Sequence, residues 1–223
     1  MYSIVYTRPD IAFALGRLSQ YMADPAEHHR HAIKGLLRYI RSTIAQKLRF
    51  GLSKHRQLVL YSDADWTTDR TDRKSVSGNV ALLYRGPIIW KSTKQTSVAT
   101  SSTESEYIAM SQCGKSSQWI AQVIRDMGYP QYISKDPKTV DIRGDNQGAL
   151  ALVKNPHLHE RSKHIDISYH FIRDLAEKAR ISVAYIPTGD MAADGLTKPL
   201  ARVAFERFKG MLGLAESSRN VRE

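Results

Sequence analysis

Between residues 57 and 94 the sequence carries three strand patterns in quick succession, at 57–65, 75–85 and 88–94. The links between them, a polar turn at 67–74 and Gly86-Pro87, are too short for a parallel crossover, which needs a dozen or more residues. The three runs therefore have to lie side by side as an antiparallel meander. A long helical pattern follows at 103–127, capped by Ser102 or Thr103 and stopped near Gly128 and Pro130. Beyond it strands and helices alternate: strand 138–144, helices 146–154 and 165–179, strand 181–187, and a last helix 193–214, bent or restarted at Pro199. Such an order predicts an α/β fold, a mixed five-stranded sheet with covering helices.

Upstream, Pro9 opens a helical pattern with Ile11, Leu15, Leu18 and Met22 on one face. Pro25 opens another, striped by Ile33, Leu36, Leu37, Ile40 and Ile44. Together they predict an N-terminal helical hairpin with a basic outer face, over 1–50, joined by a polar seam to a main domain at 57–214. Residues 215–223 read as a polar tail. The 223 residues include 33 Lys and Arg against 22 Asp and Glu, a net charge of +11 that favours an anionic partner, most simply nucleic acid. One cysteine, Cys113, excludes an internal disulfide and a multi-cysteine zinc site. Arg8 and Asp10 interrupt the first apolar residues, and no run is long enough to span a bilayer. The expectation is a soluble intracellular protein.

Five acids stand at positions where acids are unusual. Asp63 and Asp65, in YSDADW, leave the end of the first strand on the same face. Strands are depleted in Asp, so the pair is either a solvated turn or part of a site, with Asp63 the stronger candidate. Glu106 falls on the apolar stripe of the long helix, with Ala109, Met110, Cys113, Ile120, Val123, Ile124 and Met127. An unpaired carboxylate there is expensive, whereas Glu104 suits a first helical turn. Asp145 ends a strand and Asp194 begins the last helix, positions shared by helix caps and metal ligands. In a sheet with covering helices these places can converge. Gathered carboxylates repel one another, and hard divalent cations relieve that repulsion.

In order and setting, Asp63, Glu106, Asp145 and Asp194 match the Asp-Glu-Asp-Asp set of the ribonuclease H fold. The stretches YSDADW, RKSVSG, WKSTKQ, SSTESEYIAM, DNQGAL, KNPHLHERSKHIDI and ADGLTKPL, spread over 58–214, resemble the ribonuclease H domain of copia-type LTR retrotransposon polyproteins. The segment MYSIVYTRPDIAFALGRLSQYM and the helix after it resemble the C-terminal end of the reverse transcriptase that precedes that domain. No paired-Asp polymerase motif is present, so no polymerase activity is expected. The chain looks like a polyprotein remnant or a separately encoded tail piece.

The resemblance implies a metal-dependent endonuclease that cuts the RNA strand of RNA·DNA hybrids during reverse transcription. It implies two Mg²⁺ ions, with Mn²⁺ able to substitute: one between Asp63 and Asp145 holding the attacking water, the other held by Asp63, Glu106 and Asp194 at the leaving 3′-oxygen. Candidate nucleic-acid contacts are Arg73, Lys74, Lys91, Lys94, Asn146, Gln147, Lys163 and His164. The reverse transcriptase body would be a partner, and the setting cytoplasm, nucleus or a virus-like particle. Two departures stand out. The loop 187–193 lacks the His that many ribonucleases H place before the last acid, a role open to His159 or His164. Trp66-Thr67 replaces a pair of small residues. One alternative is a catalytically inactive nucleic-acid-binding remnant. An integrase-like strand transferase is disfavoured because those enzymes put the essential Glu last. Zinc at His157, His159, His164 and His170 is disfavoured by their irregular spacing.

Overall fold

The computed structural model describes residues 5–51, 56–66, 72–155 and 166–216, with the side chains of 166–169 excepted. After a 3₁₀ turn at Pro9–Ile11, two helices follow, α1 (Ala12–Ser19) and α2 (Glu27–Ser42), then a short strand β1 (Gln46–Leu48). The meander is β2 (Val59–Asp65), β3 (Val76–Leu83) and β4 (Gly86–Lys94), followed by the long helix α3 (Ser102–Asp126). Then come β5 (Val140–Gly144), α4 (Gln147–Lys154), α5 (Asp166–Glu177), β6 (Ile181–Tyr185), α6 (Arg202–Met211) and β7 (Leu214–Glu216). The main sheet runs β4-β3-β2-β5-β6, antiparallel from β4 to β2 and parallel from β2 to β6. This is the mixed five-stranded sheet with covering helices expected from the sequence.

Alternation along the central strands splits the core in two. Leu58, Leu60, Ala81 and Ile142 pack with Tyr107, Met110, Cys113 and Ile120 of α3 and with residues of α4 and α5. Val80 and Leu82 join the other cluster, with Ile186, Met191, Leu196, Phe208 and Leu212. Period-two alternation thus feeds two layers from one strand. A Cβ on Gly114 would meet Ile172 Cδ1 at 2.7 Å, so that glycine sets how closely α3 approaches α5.

The structure corrects three local expectations. The β3–β4 turn lies at Tyr84-Arg85, both with positive φ (53° and 60°), rather than at Gly86-Pro87, which belong to β4. A two-residue turn with both φ positive matches strand twist, and it places the turn two residues earlier than the Gly-Pro signal suggests. The cap of α3 is Ser101, which accepts the Glu104 N–H at 3.2 Å, while the Glu104 carboxylate accepts the Thr100 N–H at 2.6 Å. Ala215 and Glu216, read as the start of the tail, belong to β7, which pairs antiparallel with the unanticipated β1.

The apolar stripe expected on the second N-terminal helix is largely unused, since Ile33, Leu37 and Ile44 are exposed. A polar knot fastens the hairpin instead. The Arg8 guanidinium donates to both oxygens of Asp10 (2.9 and 2.8 Å) and to the Thr43 hydroxyl (2.8 Å), and the Tyr39 hydroxyl donates to Asp10 at 2.6 Å. Ala12 enters the cluster that contains Phe208, and the Tyr39 ring meets Phe205 edge-on at 5.8 Å. Among the described residues, no helix is long and apolar enough to cross a membrane.

Candidate metal centre

The end of β2, the first turns of α3 and the end of β5 meet at one place. Carboxylate oxygens of Asp63, Glu106 and Asp145 lie within 4.8 Å of one another there. Each residue arrives by a local cause. The β2–β3 ladder sets Asp63 opposite Gly78. Ser101 and Glu104 fix the start of α3, so Glu106 projects from its buried face. Asn146 takes the cap of α4, accepting the Ala149 N–H at 2.9 Å, which relieves Asp145 of that role.

The site is closed around two of its acids and part-open at the third. Asp63 is 2% and Glu106 5% exposed, while Asp145 is half-buried. Among the described residues Glu106 Oε2 is buried with no hydrogen-bond partner, an arrangement that buried polar atoms seldom tolerate. Burial pushes the Glu106 carboxyl up to about 9, reinforced by Asp63 and Asp145 and opposed by the Ala64 backbone N–H. Burial likewise pushes Asp63 up to about 6, opposed by Thr197 and Lys198 and reinforced by Asp194 and Asp145.

Three residues missed in the sequence complete the setting. The Thr197 hydroxyl donates to Asp63 Oδ2. The Thr188 hydroxyl donates to Asp145 Oδ2 at 2.7 Å, within the loop that lacks a His. Lys198 Nζ lies 2.5 Å from Asp194 Oδ1. Thr197 and Lys198 follow Asp194 by three and four residues in ADGLTKPL, a spacing that signals local pairing. Asp194 stands in a 3₁₀ turn (Asp194–Leu196), caps nothing with its side chain, and does not join the group of three. Burial tends to lower the Lys198 ammonium, but its bond to Asp194 and the charges of Asp63 and Asp65 raise it on balance.

The donor set fits a hard divalent cation. It is all carboxylate oxygen, it converges within coordination reach, and one of its oxygens is buried without a partner. Asp65 lies at the end of β2 beside this group and outside it.

The expected nucleic-acid contacts differ in exposure. Lys91 and Arg73 are exposed, Lys74 is half-buried, and Gln147 is exposed at the start of α4. Lys94 is held by Asp72 at 2.9 Å and lies 3.5 Å from Gln20. Lys163 and His164, like His157 and His159, lie outside the described residues. The Trp66 indole N–H donates to the Ala99 carbonyl at 3.0 Å, joining the end of β2 to the approach to α3.

Compared with curated proteins, the chain is 40% identical over 211 residues to the retrovirus-related Pol polyprotein from transposon RE1 of Arabidopsis thaliana, covering 95% of this chain and 14% of that polyprotein. It is 39% identical over 214 residues to the corresponding polyprotein from transposon TNT 1-94 of Nicotiana tabacum, covering 96% of this chain and 16% of that one. It is also 46% identical over 120 residues to the secreted RxLR effector protein 161 of Plasmopara viticola, covering 54% of this chain and 84% of that protein. Among solved structures, the LC11 ribonuclease H1 isolated from compost aligns with a TM-score of 0.47 and 16% identity, over 64% of this chain and 93% of its own. No protein-family model matches the chain.

Proposed function

The chain belongs to the family of retrovirus-related transposon Pol polyproteins, and we propose that it is the segment that cleaves the RNA strand of RNA·DNA hybrids with divalent metal ions. One observation carries the reading: the convergence of Asp63, Glu106 and Asp145, two of them buried and one half-buried, at the sheet end. Buried carboxylates that repel one another are costly to a fold unless something compensates them. Mg²⁺, or Mn²⁺ in its place, would supply charge neutralisation and a nucleophilic water there. Asp63, Glu106 and Asp145 would hold one ion and Asp63 with Asp194 the other, a division that follows the gathered group of three rather than the one the resemblance implied.

The chain's own groups keep this constellation aligned. Thr197 orients Asp63, and Thr188 orients Asp145. The exposed cations Arg73 and Lys91, with Lys74, would contact phosphates, which position a hybrid without reading its sequence. Ala64 and Gln147, beside Asp63 and Asp145, would meet the 2′-hydroxyls that mark an RNA strand. Residues 1–50, as the end of a reverse transcriptase, would link this domain, 57–214, to the polymerase body as its partner.

The test is an end-labelled RNA·DNA hybrid incubated with the full chain, with and without Mg²⁺, beside Asp145→Asn. Cleavage of the RNA strand that needs Mg²⁺ and disappears in the variant is the expected result. Intact hybrid with salt-sensitive binding retained would mean an inactive nucleic-acid-binding remnant instead.

A further inference from the structure

The fourth acid of the site already has a cation. Lys198 Nζ is 2.5 Å from Asp194 Oδ1, and the Asp194 side chain is only 15% exposed. The same ammonium acts favourably on Asp63 and on Glu106. Asp63, Glu106 and Asp145, by contrast, gather at coordination range. Among the described residues Glu106 Oε2 and Asp194 Oδ1 are both buried without a hydrogen bond, and Asp194 Oδ1 is met by the Lys198 charge as an ion pair. The four acids therefore form two unequal halves. Three carboxylates are arranged around a place for a cation, and the fourth is neutralised by the chain itself.

An ammonium and a divalent ion compete for the same carboxylate oxygen. We propose that Lys198 is a positioning residue that makes metal uptake stepwise: a first divalent ion enters among Asp63, Glu106 and Asp145, and a second binds only by displacing the Lys198 ammonium from Asp194. This rests on the metal-nuclease reading above and deepens it. The route for displacement is open, because the Lys198 side chain is 36% exposed and can swing towards solvent. Binding of the second ion is then weakened by the bond it must break, and occupancy of both positions depends on the concentration of free metal.

The test is a titration of the full chain with Mn²⁺ at fixed pH and ionic strength, followed by electron paramagnetic resonance, for wild type, Lys198→Met, Lys198→Gln and Lys198→Arg. Wild type should bind a tighter and a weaker ion. Lys198→Met and Lys198→Gln should tighten the weaker step roughly tenfold, as expected for removal of a competing unit charge at close range, and the tighter step by less. Lys198→Arg should keep the wild-type pattern, and Asp194→Asn should lose the weaker step. Two equal steps in wild type, or a weaker step indifferent to both neutral variants, overturns the proposal. Stepwise binding as described without hybrid cleavage overturns the nuclease reading and leaves this one standing. A wild-type chain that binds no Mn²⁺ overturns both. Thermal melting of each variant without metal separates unfolding from a true change in affinity, and either neutral variant that melts like wild type suffices.

Discussion

Gly78 stands directly across the β2–β3 ladder from Asp63, and a Cβ there would sit 2.6 Å from Thr197 Cγ2. The same Cβ would lie 2.9 Å from the Ala193 carbonyl oxygen. The glycine in RKSVSG is therefore what lets the turn carrying Asp194, Thr197 and Lys198 settle onto the sheet. Only at that distance does the Thr197 hydroxyl reach Asp63. Two segments 134 residues apart are joined by one absent methyl.

Gly78→Ala should displace this turn, because one of its neighbours is backbone and cannot rotate away. The expected cost is about 1–3 kcal/mol, the usual range for overpacking. Hybrid cleavage should fall about 100-fold, as positioning losses of this kind do. Urea unfolding and single-turnover cleavage check the two halves. A variant as stable and as active as wild type would mean the turn does not depend on this contact.

The raised carboxyls predict an unusual pH dependence. With Glu106 near 9 and Asp63 near 6, the folded metal-free chain holds protons that the unfolded chain releases above about 4. Proton uptake on folding means that the contribution of these two groups to stability is greatest below the unfolded values, falls as pH rises through the window, and levels off above about 9. Melting in EDTA should show this decline. Glu106→Gln should remove most of it and make the metal-free chain more stable at alkaline pH while abolishing cleavage. Saturating Mg²⁺ should flatten the wild-type curve, since the ion does the neutralising otherwise left to protons. Equal slopes for wild type and Glu106→Gln in EDTA would contradict the assignment.

Much of the sheet could be read from residue order because short connections leave little choice of neighbour. Glu106 was legible because an acid interrupted an apolar stripe. What escaped were relationships that only tertiary structure creates. Asp145 and Asn146 compete on paper for one cap, and the fold gives it to Asn146. Thr188 and Thr197 are ordinary hydroxyls until a loop and a turn bring them to Asp145 and Asp63. The stripe containing Ile33, Leu37 and Ile44 promised burial that the chain does not provide. The polar knot of Arg8, Asp10, Tyr39 and Thr43 has no periodicity to betray it.

The lysines of β4 should contribute unequally to hybrid binding. Lys91 is exposed and borders an open groove with Lys115 and Trp119, whereas Lys94 is held by Asp72. Lys91→Ala should lower the slope of log affinity against log salt by about one, the loss of a single phosphate contact. Lys94→Ala should change it less, because a cation already paired within the protein gains less from a phosphate. Binding isotherms over a range of salt decide between the two, and the reverse order would place the hybrid nearer Lys94 than Lys91.

Trp66 joins the two elements that deliver Asp63 and Glu106, since its indole N–H bonds the Ala99 carbonyl just before the Ser101 cap of α3. A tryptophan kept only to narrow a nucleic-acid groove would be replaceable by phenylalanine with little effect on stability. A strut would not, because phenylalanine retains the ring and loses the donor. Trp66→Phe should therefore cost about 1 kcal/mol, the net value of a hydrogen bond. It should also lower metal affinity by a few-fold, since the Glu106 helix is less firmly set against β2. Trp66→Ala should cost only slightly more, because it removes the same hydrogen bond and a ring belonging to a residue that is 44% exposed. Urea denaturation together with Mn²⁺ titration of the two variants measures both effects, and an unchanged Trp66→Phe would leave the groove as the only role for the ring.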